Sequence, residues 1–177
     1  ATGPLEIALE RLQLPAAAGE TGLAADSLQP SDIPAMQVNI AQLLLGDELL
    51  GPLAFISQPA AQTVLFDDIR GGFKGANLKG ALRWTGGAKP ASSFQGELAG
   101  EHLERVLQAW GHEPFIRGEQ FYLGLVLDWP GTPLDFSLAS LSGKAGVKLR
   151  KGQLQALDGG AQALRVFGLL NFESIGR

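Results

Sequence analysis

Residues 120–130, Gln-Phe-Tyr-Leu-Gly-Leu-Val-Leu-Asp-Trp-Pro, constrain the fold of this chain more than any other stretch. Apolar side chains recur there at every second position, and alternate residues of an extended strand project to the same face. The stripe consists of Phe121, Leu123, Leu125, Leu127 and Trp129. At roughly 3.3 Å per residue, the stripe from Phe121 to Trp129 is about 26 Å long. The pattern therefore predicts a long β-strand with one apolar face.

The same period of two recurs in shorter stretches along the chain, separated by Gly, Pro, Asp and Asn at short intervals. Such spacing is typical of antiparallel hairpins. Residues 5–14 also predict a strand, with a bulge where the parity of the leucines changes. The further positions predicted on apolar strand faces are Val38, Ile40, Leu53, Phe55, Val64, Phe66, Leu82, Trp84, Leu134, Phe136, Leu138, Val147 and Leu149.

Two features interrupt the strands. A change of parity between Leu138 and Leu141 predicts a bulge or sharp bend near Ala139–Ser140. Residues 15–35 are rich in Ala, Gly, Pro, Ser and Asp, which predicts a loop.

Two helices are predicted. Residues 101–110 place Leu103, Val106, Leu107 and Trp110 at helical spacing, which gives one apolar stripe. Residues 161–170 are apolar almost all round and predict a second, short helix. The sequence as a whole predicts a mostly β fold: a strongly curved antiparallel sheet of about seven to nine strands in one domain over 1–177, with these two helices.

The composition removes several classes of chemistry. The chain has no cysteine, so disulfides, thiolate zinc sites and cysteine nucleophiles are excluded. Its two histidines, His102 and His112, lack a metal partner at i+4 and are expected to be surface or cap residues. Asp67 and Asp68 are neighbours on one strand, which favours an edge or turn role over acid–base catalysis. We therefore expect neither an enzyme nor a cofactor or metal site.

The charge pattern gives no nucleic-acid signature. The net charge is −4, and the 14 Lys and Arg residues are scattered along the sequence rather than clustered. The chain begins at Ala1 and has no apolar run long enough to span a bilayer. We expect a fragment or processed product, with any membrane anchor of the parent protein outside it.

The phrases Leu-Arg-Trp-Thr-Gly-Gly at 82–87 and Leu-Asp-Trp-Pro-Gly-Thr at 127–132 resemble each other. In both, a strand ends at a tryptophan and a glycine turn follows. Hairpins of any meander can give such similar phrases, so a true repeat is one of two alternatives. In either case Trp84 and Trp129 are predicted to continue the apolar stripes of their strands.

Two interpretations of the apolar stripes remain open. The stripes either form a sheet face packed under helices, or they line an open apolar trough. One clear helix and one short helix would have to cover about eight strands, which favours a trough. A ligand of such a trough would be apolar, because no cluster of polar specificity groups accompanies the stripes.

Several segments resemble one protein family. They include Val-Asn-Ile-Ala-Gln-Leu-Leu-Leu-Gly at 38–46, His-Leu-Glu-Arg-Val-Leu-Gln-Ala-Trp-Gly at 102–111 and Leu-Ser-Gly-Lys-Ala-Gly-Val-Lys-Leu-Arg-Lys-Gly-Gln-Leu at 141–154. Together with Leu-Arg-Val-Phe-Gly-Leu-Leu-Asn at 164–171 they are similar to the C-terminal region of YhdP-like members of the AsmA-like family of the Gram-negative envelope. The resemblance covers most of 36–177.

The resemblance implies a function. Members of that family are anchored in the inner membrane by an N-terminal helix, and their long curved sheet crosses the periplasm with an apolar groove. They are implicated in phospholipid passage between the two membranes and have no catalytic centre. The apolar strand positions named above would then contact acyl chains, with the rest of the parent chain and membrane proteins as partners. The alternative is an assembly module for the outer membrane that binds protein strands at a sheet edge.

Overall fold

Ten strands and one α-helix form in the part of the chain that the computed structural model describes, residues 3–14, 28–109, 116–136, 139–151 and 153–154. Eight strands make one sheet in the order β1-β2-β3-β4-β5-β6-β8-β9. Its strands are β1 (Leu5–Leu14), β2 (Met36–Leu45), β3 (Glu48–Pro59), β4 (Thr63–Phe73), β5 (Ala76–Thr85), β6 (Ala91–Glu101), β8 (Gln120–Pro130) and β9 (Ser142–Arg150). A second, two-stranded sheet joins β7 (Ile116–Arg117) to β10 (Gln153–Leu154).

The predicted mostly β fold with an open, curved sheet is confirmed, with one change in topology. Every pair from β2 to β9 is antiparallel, but β1 pairs with β2 in parallel. A parallel neighbour requires the chain to return to the end from which it started, and such crossovers take a dozen residues or more. Residues 15–35 are long enough for this return, and a short 3-10 helix, Pro30–Asp32, forms within them.

Bulges keep the apolar side chains on one face. The register of β2 against β3 shifts between Ile40 and Leu43, and that of β4 against β3 and β5 shifts near Asp67. In β1 the ladder to β2 omits Glu10, and Ile7 before it and Leu12 and Leu14 after it pack with the same cluster of β2. The change of parity predicted in residues 5–14 is present, but the register of β1 against β2 is the same on both sides of it.

The predicted helix forms as α1, Leu103–Ala109, within the connection from β6 to β8. Glu101, predicted inside it, is instead the last residue of β6. The side chain of Lys74, in the β4–β5 turn, donates a hydrogen bond to the carbonyl of Ala109 at 3.2 Å and pairs with Glu48. A cation at the last carbonyls of a helix is favourable for the helix dipole, and it ties α1 to the sheet.

The strand predicted at Leu134–Leu138 is wrong in the residues that the structure describes. Pro133–Asp135 is a 3-10 helix, because Pro133 favours the first helical position and Asp135 accepts a hydrogen bond from the backbone N–H of Thr132 at 2.7 Å. The bend predicted at Ala139–Ser140 is a turn, and β9 begins after it. Leu138, Trp110, His112 and the helix predicted at 161–170 lie outside the described residues.

Candidate functional site: the apolar face of the sheet

The strand register brings the predicted apolar positions to one side of the sheet. Residues directly opposite each other in a ladder project to the same face. One such row crosses four strands as Val64, Trp84, Ser92 and Trp129, and the next crosses them as Phe66, Leu82, Phe94 and Leu127. The predicted stripes are therefore parts of one surface.

We call this surface the apolar face. The sequence-predicted positions that it contains are Val38, Ile40, Leu53, Phe55, Val64, Phe66, Leu82, Trp84, Phe121, Leu123, Leu125, Leu127, Trp129, Val147 and Leu149. It also contains Leu78, Phe94 and Leu98, which sequence reasoning did not include among the groove positions. The sequence could have indicated Phe94 and Leu98, because Ser92, Phe94 and Leu98 are two and four residues apart and therefore lie on the same face of a strand.

Leu134 and Phe136 were predicted on this face, and the structure corrects that prediction. They follow Thr132 in or next to the second 3-10 helix and are 58% and 50% exposed. Phe136 still contacts the apolar face from outside, because its ring stands edge-on to Trp129 at 5.3 Å between centroids. It closes the end of the face instead of lining a strand.

Burial along the apolar face follows a gradient. Val64 and Trp84 are 0% and 1% exposed at one end of the strands. Phe121 and Leu98 are buried towards the other end, where Val106 of α1 packs against them. Between these ends Phe94 is buried, and the other positions are half-buried, namely Phe66, Leu82, Leu123, Leu125, Leu127 and Val147. The middle of the face is thus more accessible than its two ends.

The first end is closed by hydrogen-bonded loops. Ser57 is 1% exposed, donates to the carbonyl of Pro34 at 2.6 Å and accepts from the N–H of Met36. Ser92 donates to the carbonyl of Gly131 at 2.9 Å, and the indole N–H of Trp129 donates to the carbonyl of Thr132 at 3.0 Å. These serines satisfy backbone groups of the loops, so they hold the closed end in place.

The two tryptophans of the similar phrases flank Ser92 from opposite sides. Each is followed by a glycine in the left-handed region, Gly87 at φ 96° and Gly131 at φ 94°. The prediction that both tryptophans continue the apolar stripes of their strands is confirmed. The indole N–H of Trp84 is buried and has no hydrogen-bond partner among the described residues, unlike that of Trp129.

Glycine–aromatic packing shapes the middle of the apolar face. Gly80 and Gly96 lie opposite each other on β5 and β6. The ring of Phe94 lies against both, since a Cβ added at either glycine would come within 2.8 Å of its Cζ. Gly100 is covered by the ring of Phe121 in the same way. Aromatic rings that cover strand glycines supply contacts that the missing side chains cannot make.

The apolar face reaches solvent along β1. Leu5 and Leu9 lie opposite Met36 and Ile40 on β2, yet they are 55% and 38% exposed. Ile7, between them in the same stripe, packs with the cluster of Val38 and Ile40. This edge is therefore the least covered part of the apolar surface.

The opposite side of the sheet, which we call the polar face, carries most of the charged strand residues. Tyr122 donates a hydrogen bond to Glu97 at 2.5 Å, and this bond to a carboxylate raises the pKa of Tyr122. The ammonium group of Lys148 lies 5.8 Å from the centre of the same ring. A depression of about 850 Å³ crosses β1 to β6, and most of its lining residues belong to the polar face, including the small side chains of Ala54 and Ala99.

The groups considered for chemistry are dispersed. Asp67 and Asp68 lie at the bulge of β4, where Asp68 pairs with Arg70 at 2.7 Å. His102 precedes α1 and lies 3.4 Å from Glu104. Backbone N–H groups, its own first and then that of Gly118, lower the pKa of Glu104 against the opposing effect of burial. In the described ranges no three His, Cys, Asp or Glu side chains are grouped to hold a metal ion.

These features define an open β-sheet protein with one wide apolar face and one charged face. The whole chain, residues 1–177, matches the family model described as YhdP protein, and the chain therefore belongs to the YhdP family. The resemblance inferred from the sequence is confirmed, and membership is consistent with AsmA-like lipid transport or another envelope role. No curated protein and no solved structure matches the chain. None of the helices in the described segments is long and apolar enough to cross a membrane.

Proposed function

We propose that this chain is a segment of a bridge-like lipid-transfer protein, and that its apolar face shields phospholipid acyl chains between the inner and outer membranes. The observation that carries the proposal is the register, which joins apolar residues of all eight strands of the main sheet into one surface. The half-buried middle of that surface and the exposed leucines of β1 supply places where an acyl chain can lie.

The physical requirement for such a protein is modest selectivity over a long apolar surface. Each acyl methylene exposed to water costs about 0.8 kcal/mol, so a diacyl lipid cannot cross an aqueous space unaided. A surface of similar Leu, Val and Phe side chains lowers this cost equally at successive positions. It holds no lipid tightly, and it needs no catalytic group or cofactor.

The proposal extends to the setting of the chain. Its partners are phospholipid acyl chains, the rest of the parent chain, and inner- and outer-membrane proteins at its ends. Its compartment is the periplasm, with the parent protein anchored in the inner membrane. We propose no enzymatic activity and no nucleic-acid partner.

Adjacent positions on β8 provide a matched test. Leu125 lies on the apolar face and is half-buried, whereas Val126 lies on the polar face and is 46% exposed. Leu125→Asp should abolish co-purification of lipid, as measured by native mass spectrometry, while circular dichroism shows a folded sheet. Val126→Asn should leave both unchanged; the uncharged amide is used at this position because Lys144 lies directly opposite it on β9.

The outcomes separate a groove from a packed core. If Leu125→Asp unfolds the protein and the wild-type chain carries no lipid, the apolar face is ordinary core and the proposal fails. A photo-crosslinking residue at position 125 of the full-length parent in cells gives an independent reading. Lipid adducts at other positions with none at 125 would exclude this segment from the lipid path.

A second candidate is an assembly module that binds protein strands. It is favoured by the two edges of the main sheet, because β1 and β9 each pair on one side only within the described residues. An unpaired edge can accept a strand from another protein. A crosslinker on the β1 edge that captures protein, combined with normal function of Leu125→Asp, would favour this candidate over lipid transfer.

A further inference from the structure

The last strand of the main sheet is strongly cationic, although the chain as a whole carries a net charge of −4. Residues 136–157 contain four basic residues and no acidic one. In β9 the period of two places Lys144, Lys148 and Arg150 on the polar face, and all three are exposed. The even spacing of these three cations in the sequence becomes one row because alternate residues of a strand project to the same side.

On the neighbouring strand β8, no acidic residue lies directly opposite these three cations. The cross-strand partners of Lys144, Lys148 and Arg150 on β8 are Val126, Tyr122 and Gln120. None of the three cations makes an ion pair within the described residues, whereas Lys151 pairs with Glu119 at 2.9 Å. Like charges on one strand repel each other, and a bound anion would relieve that repulsion.

The other face of the same strand is apolar. Val147 and Leu149 alternate with the cations and lie opposite Leu123 and Phe121, so they continue the apolar face to the sheet edge. β9 is an edge strand of the main sheet in the described residues, so only the width of this single strand separates its apolar side from its cationic side. Acyl chains on one side and an anionic phosphate on the other match the chemistry of a phospholipid that lies over this edge.

We propose that the β9 row, which we define as Lys144, Lys148 and Arg150, binds the headgroup phosphate of anionic phospholipids whose acyl chains lie on the apolar face. This inference rests on the proposed lipid function and adds a preference in headgroup charge. Tyr122 contributes by positioning, because its ring lies under the ammonium group of Lys148 and its hydroxyl is fixed by Glu97. The phosphate of a zwitterionic lipid brings its own cation, which the row repels.

The expected magnitude follows from the number of cations. Each Lys or Arg near an anionic lipid surface contributes about fivefold in affinity at low salt, so three contribute on the order of a hundredfold. The preference should weaken as salt rises, since exposed charges are screened over about 8–10 Å at physiological ionic strength.

The experiment measures flotation of the 177-residue chain with two kinds of vesicle. One is phosphatidylcholine alone, and the other has a third of its lipid replaced by phosphatidylglycerol. The test variant is Lys144→Gln/Lys148→Gln/Arg150→Gln. The matched control is Arg11→Gln/Lys89→Gln/Arg105→Gln, which changes the net charge equally at exposed cations elsewhere in the described chain. If the triple variant does not fold, the single variant Lys148→Gln takes its place as the test variant.

The inference predicts that the wild-type chain and the control prefer phosphatidylglycerol vesicles, and that the test variant loses this preference while still binding lipid. It is overturned if the test variant keeps the preference or if the control loses it equally. Binding to heparin as tight as to the anionic vesicles would also overturn it, because the row would then be a general polyanion site. A chain that binds both vesicles equally refutes the headgroup role and leaves acyl shielding intact, whereas a chain that binds neither refutes both.

Discussion

Gly96→Ala should destabilise the protein through the close approach of β5 and β6. An ideal Cβ at this position lies 2.2 Å from the carbonyl oxygen of Lys79, 2.6 Å from Cζ of Phe94 and 2.9 Å from Cα of Gly80. Two of these three atoms belong to backbone, so the strands must separate for the methyl group to fit. The φ of Gly96 is outside the left-handed region, so the effect is steric and not conformational.

The magnitude can be worked from these contacts. Separation of the strands weakens one or two ladder hydrogen bonds, at about 1 kcal/mol each. Displacement of the Phe94 ring from the glycines adds about 1 kcal/mol. Replacement of Gly by Ala also lowers the conformational entropy of the unfolded chain, which stabilises the folded protein by about 0.4–1 kcal/mol. The net loss is about 2 kcal/mol, which lowers Tm by about 4–8 °C for a domain of this size.

Urea unfolding followed by tryptophan fluorescence measures this loss, because Trp84 and Trp129 are both buried in the apolar face. The matched control is Gly146→Ala on β9, where an added Cβ has no heavy atom within 4 Å. The control should unfold at the wild-type urea concentration or slightly above it. Gly96→Ala within about 0.5 kcal/mol of wild type, or equal losses in both variants, would refute the close packing inferred at this position.

Two further predictions concern single groups. Asp135→Ala removes the carboxylate that accepts hydrogen bonds from the N–H and hydroxyl of Thr132 at 2.7 and 2.9 Å. It should lower the free energy of unfolding, measured in urea, by about 1 kcal/mol and shift the fluorescence emission of Trp129. An unchanged emission spectrum would count against the closed end of the apolar face at Trp129. Tyr122 is the only tyrosine, so absorbance at alkaline pH follows its phenol directly; its pKa should lie above the ordinary value of 10, and Glu97→Gln should lower it. Because the pKa of Tyr122 is raised in the folded state, the stabilisation from its hydrogen bond to Glu97 is complete below the unfolded-state pKa and is lost as the pH rises through the folded-state pKa. An identical titration of Tyr122 in the Glu97→Gln variant would contradict this prediction.

Secondary structure was largely predictable where local pattern and local energetics agree. The alternation at Phe121–Trp129 predicted β8, and the helical spacing at 103–107 predicted α1. The strand predicted at Leu134–Phe136 failed, although its side chains alternate. There the local signals of Pro133 and the Thr132–Asp135 cap favour a 3-10 turn, and they outweigh the weaker preference for an extended strand.

The parallel pairing of β1 could not be predicted from its residues. Alternating Leu5, Ile7 and Leu9 pair equally well in either direction, because the period of two is the same in both. The direction depends on where the chain re-enters the sheet after residues 15–35, and that is a long-range property.

The sequence by itself determined which residues are apolar on each strand, since side-chain alternation is a local consequence of extended backbone. Only the tertiary structure decided that the stripes of separate strands join into one apolar face, because a shift of register by one residue would send a stripe to the other side. The same register aligned Lys144, Lys148 and Arg150 against uncharged neighbours on β8. Their even spacing within one short stretch puts them on one side of β9 by local geometry, whereas the pairing with β8, which is a long-range property, decided that no acidic side chain on β8 stands directly opposite them.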